Sequence, residues 1–292
     1  MGRGSAWAFG FAIGGSLLEM TTGTRDPRFA TGELVKLTAA VAGISRVGWT
    51  AIQASDATEQ NARATMARER FDVLPVENSG NVEGYFHTME WNDYSRITRG
   101  HISDEDVVLY DSDIRDVISL LSKRSRPFVF LRDDHDVVGL FSVVNLNRRP
   151  VKVWLFNLLS EIEVRLGEFV SRHVNDQELY SLTLGATTDP KYEAVKRHYK
   201  TDQKNGLELP VAEYLYFKDL IKVAVSNSLH RKLDSSRTHF ERSLGSLAAL
   251  RDEVAHPARS LVREAKGVMS LQRRVERIDD TLKRLRRSLT SG

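Results

Sequence analysis

An internal repeat in the first half of this chain constrains its fold more than any other feature. Shifting the sequence by 55 residues, without a gap, places Asp56 on Asp111, Met66 on Leu121 and Gly84 on Gly139. Other matched pairs are Ala62 with Val117, Val73 with Phe128, Val76 with Leu131, Val82 with Val137, Tyr85 with Leu140 and Phe86 with Phe141. Self-similarity at a fixed period indicates one supersecondary unit that is built more than once.

Both copies of the repeat predict the same order of elements. A short apolar strand, at 50–54 and again at 107–110, leads to Asp56 or Asp111 as the N-cap of a helix. The following predicted elements are helices at 61–70 and 114–123, then strand pairs at 73–76 with 82–86 and at 128–131 with 137–141. Turn residues at 78–81 and 133–136 join the paired strands. A second helix is expected after each pair, which gives a β-α-β-β-α unit.

Two such units resemble a tandem CBS domain pair, the Bateman module. The resemblance rests on residues 72–76 and 82–86 in the first copy and on 137–142 with Asn145 in the second, and it covers roughly 45–150. It implies a cleft that binds an adenine nucleotide or a related adenosine-type ligand.

In the family pattern, a hydroxyl and a carboxylate after the third strand contact phosphate and ribose. The matching positions are Ser142 and Asn145 in the second copy and His87 and Glu90 in the first. Ser142 fits the pattern. Asn145 replaces the carboxylate and loses its charge-assisted hydrogen bond, His87 departs from the hydroxyl, and Glu90 keeps a carboxylate on a longer arm. The alternative role for these residues is to cap a helix.

After Pro150 the apolar residues recur at helical spacing, which predicts an all-α half. The predicted helices lie at 153–170, 211–229, 238–254 and 258–289. The polar stretch 175–206 between the first two is interpreted as a surface helix and loop, or as an insertion that contacts a polyanion. The expected organisation is therefore an N-terminal segment at 1–44, a ligand-sensing module at 45–150 and a helical domain at 151–292.

The long C-terminal helix carries an unbroken a/d heptad pattern. The positions are Val268, Leu271, Val275, Ile278, Leu282, Leu285 and Leu289. This spacing predicts either a homodimer or packing along the protein's own bundle, and periodicity does not separate the two. The same helix is rich in arginine and lysine, which is typical of a solvated face or of a surface that attracts nucleic acid or acidic lipid.

The preceding helix places a cation where its neighbours are apolar. Phe240, Leu244, Leu247 and Val254 form one stripe, and Arg251 lies on it. Arginine is rarely buried on an apolar face unless it is paired or used. Asp252 follows at once, and His256 precedes Pro257, which disfavours helical backbone at the histidine. The helix is therefore expected to end near His256 and to free the imidazole to turn toward the guanidinium.

The arrangement of Arg251, Asp252 and His256 within a helical bundle resembles the HEPN superfamily, and the resemblance covers roughly 153–290. It implies a metal-independent endoribonuclease that acts as a dimer and makes a 2′,3′-cyclic phosphate and a 5′-hydroxyl. His256 would transfer protons, Arg251 would stabilise the phosphorane charge and Asp252 would orient one of them. The alternative is a structural Arg251–Asp252 ion pair with His256 as a helix cap.

Composition limits the remaining choices. The 292 residues contain no cysteine, which excludes disulfides and thiol catalysis and fits a cytoplasmic location. The apolar stretch 6–18 is too short to span a bilayer, so we expect no stable membrane insertion, and it is interpreted as a packing or poorly ordered segment.

These features together predict an α/β plus all-α protein that cuts single-stranded RNA under control of a bound nucleotide, with no cofactor or metal in catalysis. Stress response, toxin-like growth arrest and antiviral defence all suit such an enzyme. The alternative is a non-enzymatic nucleotide-sensing adaptor whose helical half binds RNA or a partner protein. A transcriptional regulator ranks last, since no helix-turn-helix spacing is present.

Overall fold

A computed structural model describes residues 36–290, with gaps at 91, 125, 208, 257 and 264. The expectation for the apolar stretch 6–18 lies outside the described residues. The strands are β1 (Ile44–Ser45), β2 (Ile52–Gln53), β3 (Val73–Asn78), β4 (Asn81–Thr88), β5 (Ile97–Gly100), β6 (Val107–Leu109), β7 (Phe128–Asp133) and β8 (Asp136–Ser142). The helices are α1 (Ala39–Ala42), α2 (Glu59–Glu69), α3 (Ile114–Lys123), α4 (Arg149–Ser171), α5 (Asp176–Leu182), α6 (Glu193–Lys204), α7 (Phe217–Ser226), α8 (Arg237–Val254) and α9 (Ala265–Thr290).

The strands form two four-stranded sheets on a common plan. Their orders are β2-β3-β4-β5 and β6-β7-β8-β1. In each sheet the first pair is parallel and the others are antiparallel. The ladder of the first sheet pairs Val73 with His87, and that of the second pairs Phe128 with Ser142, one repeat length further along. Each ladder also has an irregularity at the same repeat position, after Val76 and after Leu131. The two sheets therefore share one register.

The outermost strand of each sheet comes from the segment that precedes the other copy. β5 precedes the second copy but pairs with β4, whereas β1 precedes the first copy and pairs with β8. Both glycines of the repeat lie against these strands. A Cβ on Gly84 would meet the carbonyl oxygen of Gly100 at 2.6 Å, and a Cβ on Gly139 would meet that of Ile44 at 2.6 Å. The matched glycines therefore have the same cause, the close approach of a neighbouring backbone.

The prediction of a second helix after β4 is wrong, because the chain turns back there and forms β5. The turn is held by Asp72, whose Oδ1 accepts from Thr88 Oγ1 at 3.1 Å and from the Asn92 N–H at 3.0 Å. Asn92 has a φ of 59°, a left-handed conformation that asparagine tolerates. In the second copy the expected helix exists, and it is α4, the first helix of the helical half.

The predicted helix caps are also displaced. Thr58 caps α2 by accepting from the Asn61 N–H, and Asp113 caps α3 by accepting from the Arg115 N–H. Asp56 instead lies in the 3₁₀ helix Ala54–Asp56, and Asp111 lies in a turn. Both repeat aspartates are therefore two residues upstream of the real cap, in the bend that leads to it.

In the helical half, three of the predicted helices differ in extent, and the first, predicted at 153–170, spans Arg149–Ser171. The predicted helix at 211–229 is broken into a 3₁₀ helix (Val211–Tyr214), α7 and a second 3₁₀ helix (Leu229–Leu233). The C-terminal helix begins at Ala265 rather than at 258. The helix predicted at 238–254 matches α8 to within one residue.

The heptad seam of α9 is buried within its own chain. All seven seam residues are at most 8% exposed, and α9 packs along α4 and α3. Arg115 on α3 pairs with Asp279 at 3.1 Å, and Ser122 on α3 hydrogen-bonds Gln272. One hydrophobic core consequently runs from the second sheet and α3 through the helical half. The seam therefore packs on the protein's own bundle and no longer argues for a homodimer.

Candidate functional site

Arg251 lies on the buried stripe of α8, as its spacing predicts. Its stripe neighbours Leu247 and Val254 are 0% and 6% exposed, while the arginine side chain keeps 36% of its surface. The Nε atom is buried, lacks a hydrogen-bond partner among the described residues and lies 3.7 Å from Oε2 of Glu163. Because Nε is enclosed, the exposed surface belongs to the other side-chain atoms. The buried edge of the guanidinium therefore lies against Glu163, while its other atoms remain accessible from solvent.

Glu163 of α4 belongs to this site, although the spacing of the sequence does not predict it there. Its carboxylate also accepts a hydrogen bond from the backbone N–H of Phe217, the first residue of α7, whose N-cap residue supplies no side-chain cap. Burial raises the pKa of Glu163, and the nearby Asp252 carboxylate raises it further. Arg251 and the Phe217 N–H oppose the shift without cancelling it. A glutamate three residues before the buried Leu166 was the available signal.

Asp252 faces the neighbouring helix α7. Its Oδ2 accepts from Nζ of Lys218 at 3.2 Å, and its Oδ1 lies 3.9 Å from Nη1 of Arg251. Both Asp252 and Lys218 are well exposed, so this pair contributes at most about 1 kcal/mol to stability. Arg251 and Asp252 together connect α8 to α4 and α7.

His256 lies two residues beyond the end of α8, close to the predicted helix end. Its backbone N–H donates to the Glu253 carbonyl at 3.3 Å, and its own carbonyl accepts from the Arg259 N–H at 3.1 Å. The imidazole is exposed and makes no hydrogen bond to any described residue. The structure thus brings Arg251 and Asp252 together, but no bond joins His256 to either of them.

Ser142 and Asn145 bond to each other. Oδ1 of Asn145 accepts from the Ser142 N–H at 2.7 Å and from its hydroxyl at 3.0 Å. Asn145 is buried, 3% exposed, at the start of the 3₁₀ helix Val143–Asn147. This geometry is the capping role that was the alternative to ligand binding.

His87 occupies the position in β4 that Ser142 occupies in β8. Its Nδ1 lies 2.9 Å from the Thr88 carbonyl oxygen, and its ring centre is 5.7 Å from that of Tyr85 and 5.9 Å from that of Phe128. Glu90 is exposed and has no side-chain hydrogen bond to the described part of the chain. No hydrogen bond joins these two residues to Ser142 or Asn145 within the described ranges.

A buried polar cluster that the sequence pattern does not predict lies near the packed aromatic rings of the two sheets. Asp106, 4% exposed, accepts from Arg126 at 2.8 Å, from the Ser103 hydroxyl at 2.9 Å and from the Tyr85 hydroxyl at 3.4 Å. Burial alone would raise the pKa of Asp106, but the hydrogen bonds from Ser103 and the charge of Arg126 outweigh it and lower the pKa. Asp106 is the last of three consecutive acids, so the sequence has no pattern that singles it out.

Among the residues that the structure describes, no three histidine, aspartate or glutamate side chains are arranged to hold a metal ion. No described helix combines the length and the apolar character that crossing a bilayer requires. Comparison of the chain with protein-family models, with curated proteins and with solved structures gave no match. The fold and site define a mixed α/β protein with two small four-stranded sheets and a long C-terminal helix.

Proposed function

We propose that this protein is a metal-independent endoribonuclease whose reactive groups are Arg251 and His256, contributed by two copies of the chain to a composite site. The observation that carries the proposal is the setting of Arg251. Its guanidinium sits on an apolar stripe against the half-buried Glu163, yet about a third of the side chain stays exposed. A cation fixed in this way is suited to a phosphate, because its side chain loses little conformational entropy when the anion binds.

The chemistry needs only side chains of this kind. A neutral His256 imidazole takes the proton of a ribose 2′-hydroxyl, and the oxygen attacks the adjacent phosphorus. The bond from phosphorus to the 5′-oxygen breaks, and His256 of the second copy, in its protonated form, gives a proton to that leaving oxygen. Arg251 offsets the negative charge of the phosphorane. The products are a 2′,3′-cyclic phosphate and a 5′-hydroxyl. Support for the histidine comes from its exposed imidazole, which makes no hydrogen bond to a residue that the structure describes.

The test is cleavage of unstructured, end-labelled RNA in the presence of a chelator. His256→Ala should lower the rate by at least about 100-fold, since general acid–base catalysis contributes that much, and Arg251→Ala should also lower it. His239→Ala is the matched control, because His239 is exposed near the start of α8, about 22 Å along that helix from its last residue, Val254. Wild-type cutting no faster than that of His256→Ala would disprove the proposal.

The repeat half is proposed as the regulatory part, binding an adenine nucleotide between its copies. Support comes from the equivalent positions of His87 and Ser142 at the ends of β4 and β8, with the exposed Glu90 three residues beyond His87. AMP or ATP should then raise the melting temperature of the wild type, because a ligand that binds only the folded state stabilises it. The shift should shrink in His87→Ala, whereas no shift with either nucleotide in the wild type would contradict this part.

A second candidate function is a non-enzymatic interaction module that binds RNA or a partner protein. The observation in its favour is that Arg251 and Asp252 already bridge three helices through Glu163 and Lys218. This function predicts that binding survives in the Arg251→Ala/His256→Ala double variant. A pull-down comparing the wild type with that variant separates it from the ribonuclease, provided that cutting is measured on the same samples.

A further inference from the structure

A second basic site lies at the other end of the helical half. A cavity of about 530 Å³ opens where the end of α4, the 3₁₀ helix Leu229–Leu233 and the last turns of α9 meet. Its lining residues are His173, Lys232, Leu233, Asp234, Arg284, Arg287 and Ser288. Neither the proposed reactive groups nor the nucleotide positions of the repeat half belong to this cavity.

Positive charge dominates the cavity. Lys232, Arg284 and Arg287 line it together with His173, and Asp234 is the one acid among the described residues of its lining. Asp280, outside the lining, pairs with Nε of Arg284 at 2.9 Å. Three permanently positive side chains therefore line the cavity, and two of them come from α9.

Hydrogen bonds hold the walls of the cavity in place. Nη1 of Arg284 donates to the carbonyl oxygens of Leu233 at 3.1 Å and Asp234 at 3.0 Å, which fixes α9 against the 3₁₀ helix. Nδ1 of His173 lies 2.8 Å from the Phe169 carbonyl oxygen. Because a carbonyl only accepts, Nδ1 carries the proton, and this bond fixes the orientation of the ring at the cavity wall. A site fixed in this way needs little reorganisation when an anion enters.

We propose that this cavity binds phosphate groups. Lysine and arginine are the side chains that recognise phosphate oxygens, and Ser288 adds a hydroxyl donor. The phosphate belongs either to an RNA strand or to a free nucleotide. RNA as the source of the phosphate rests on the proposed function. The chain passes from Asp234 in the cavity lining into α8, which begins at Arg237. Arg251 lies fourteen residues after Arg237, which is about 21 Å along α8. An RNA strand that reached both places would span several nucleotides, so the cavity would hold the strand away from the point of cleavage.

The experiment measures binding in a His256→Ala background, in which cutting does not interfere. Fluorescently labelled single-stranded RNA is titrated with that protein and with the same protein carrying Lys232→Gln and Arg287→Gln. Affinity should fall about 10-fold, and the slope of log K against log salt should become shallower by about 1.4, since each lost phosphate contact on a single strand contributes about 0.7. Lys232→Gln alone, at an exposed position, should give a smaller loss in the same direction and guards against misfolding of the double variant.

The matched control is Arg68→Gln with Lys123→Gln, which removes one arginine and one lysine charge from exposed positions of the repeat half. It should change affinity by less than about twofold. An equal loss in the control would show that overall charge is responsible and would overturn the proposal, as would unchanged affinity in the cavity variants.

Inorganic phosphate and AMP form the second arm, and both are added to protein that carries His87→Ala, because the repeat half is itself proposed to bind AMP. If RNA does not bind but AMP or phosphate raises the melting temperature of this protein more than that of the same protein with Lys232→Gln and Arg287→Gln, the cavity is a nucleotide or phosphate-ion site and the RNA source is wrong. If none of the three binds, the cavity proposal fails. Neither result depends on whether His256 supports cleavage, which the chelator assay measures separately.

Discussion

At the scale of single residues, Glu163 sets the electrostatics around Arg251. Its pKa is raised mainly because burial strips water from the carboxylate, and the charge of Arg251 does not fully compensate. A carboxyl group with a raised folded-state pKa stabilises the fold at pH values below its unfolded pKa. That contribution is lost as the pH rises through the folded pKa. Ionised Glu163 therefore holds Arg251 in place at a cost in stability.

Replacing this carboxylate with a neutral amide should reverse the cost. Glu163→Gln can still accept the Phe217 N–H, so its melting temperature should rise relative to wild type on going from about pH 4 to about pH 8. The exposed Glu168→Gln on the same helix is the control and should show a smaller trend. Thermal unfolding followed by circular dichroism at both pH values gives the comparison. A difference in melting temperature between variant and wild type that is the same at both pH values contradicts the raised pKa of Glu163. A difference that moves in favour of the wild type at the higher pH contradicts it as well.

The sequence could place Arg251 because its stripe is local to one helix. It could not place Glu163, because their pairing depends on how α4 and α8 pack. The same reason explains Asn145, since a ribose contact and a helix cap require the same polar side chain at the same spacing. Only the bond from Ser142 to the Asn145 oxygen distinguishes the two roles.

At the scale of elements, the repeat predicted most of the strands. It did not predict that β1 pairs with β8 of the second copy, or that β5 pairs with β4 of the first. These two strands are two and four residues long, too short to show period-two alternation. Their positions follow from long-range pairing, which a local pattern does not contain. The matched glycines, Gly84 and Gly139, are an indirect sign of these pairings in the sequence, because each leaves room for the backbone of the adjacent edge strand.

This explanation of the glycines predicts a paired effect. Gly84→Ala and Gly139→Ala should each lower the free energy of unfolding by about 1–3 kcal/mol, since the new methyl group would overlap a backbone carbonyl that cannot turn away. Gly245→Ala on α8 is the control, because a Cβ there meets nothing within 4 Å and alanine favours helix by about 0.5–1 kcal/mol. Urea unfolding of the three variants tests this. Equal tolerance of alanine at all three positions would refute the close approach.

At the scale of the whole molecule, α9 connects the second sheet's helix α3 to the helical half. The heptad pattern predicted a long helix with one apolar seam, but it left the partner open, and the partner is the chain itself. Ile278, 0% exposed, lies in the middle of this seam. A cavity created at that position should therefore destabilise both the repeat half and the helical half.

Ile278→Ala should lower the free energy of unfolding by about 2–5 kcal/mol. Amide exchange measured by mass spectrometry should accelerate in α3 as well as in α4, because α9 packs on both helices. Lys283→Ala, at an exposed position of α9, should leave both rates unchanged. Faster exchange in α4 alone would mean that the two halves open independently.

With the α9 seam occupied, a dimer needs another surface, and the proposed composite site favours the face around Arg251. Val164, next to Glu163, is 60% exposed, and Tyr216, next to Phe217, is 44% exposed. Singly exposed apolar side chains are common on protein surfaces, so the choice of these two as the dimer contact rests on the proposed composite site. Val164→Glu should therefore convert a dimer into a monomer and abolish RNA cutting together. Val153→Glu, also exposed on α4 but about 16 Å away, should do neither. Light scattering coupled to gel filtration gives the mass of each variant. A wild type that is monomeric at tens of micromolar and still cuts RNA would exclude a composite site, because one chain would then supply every reactive group.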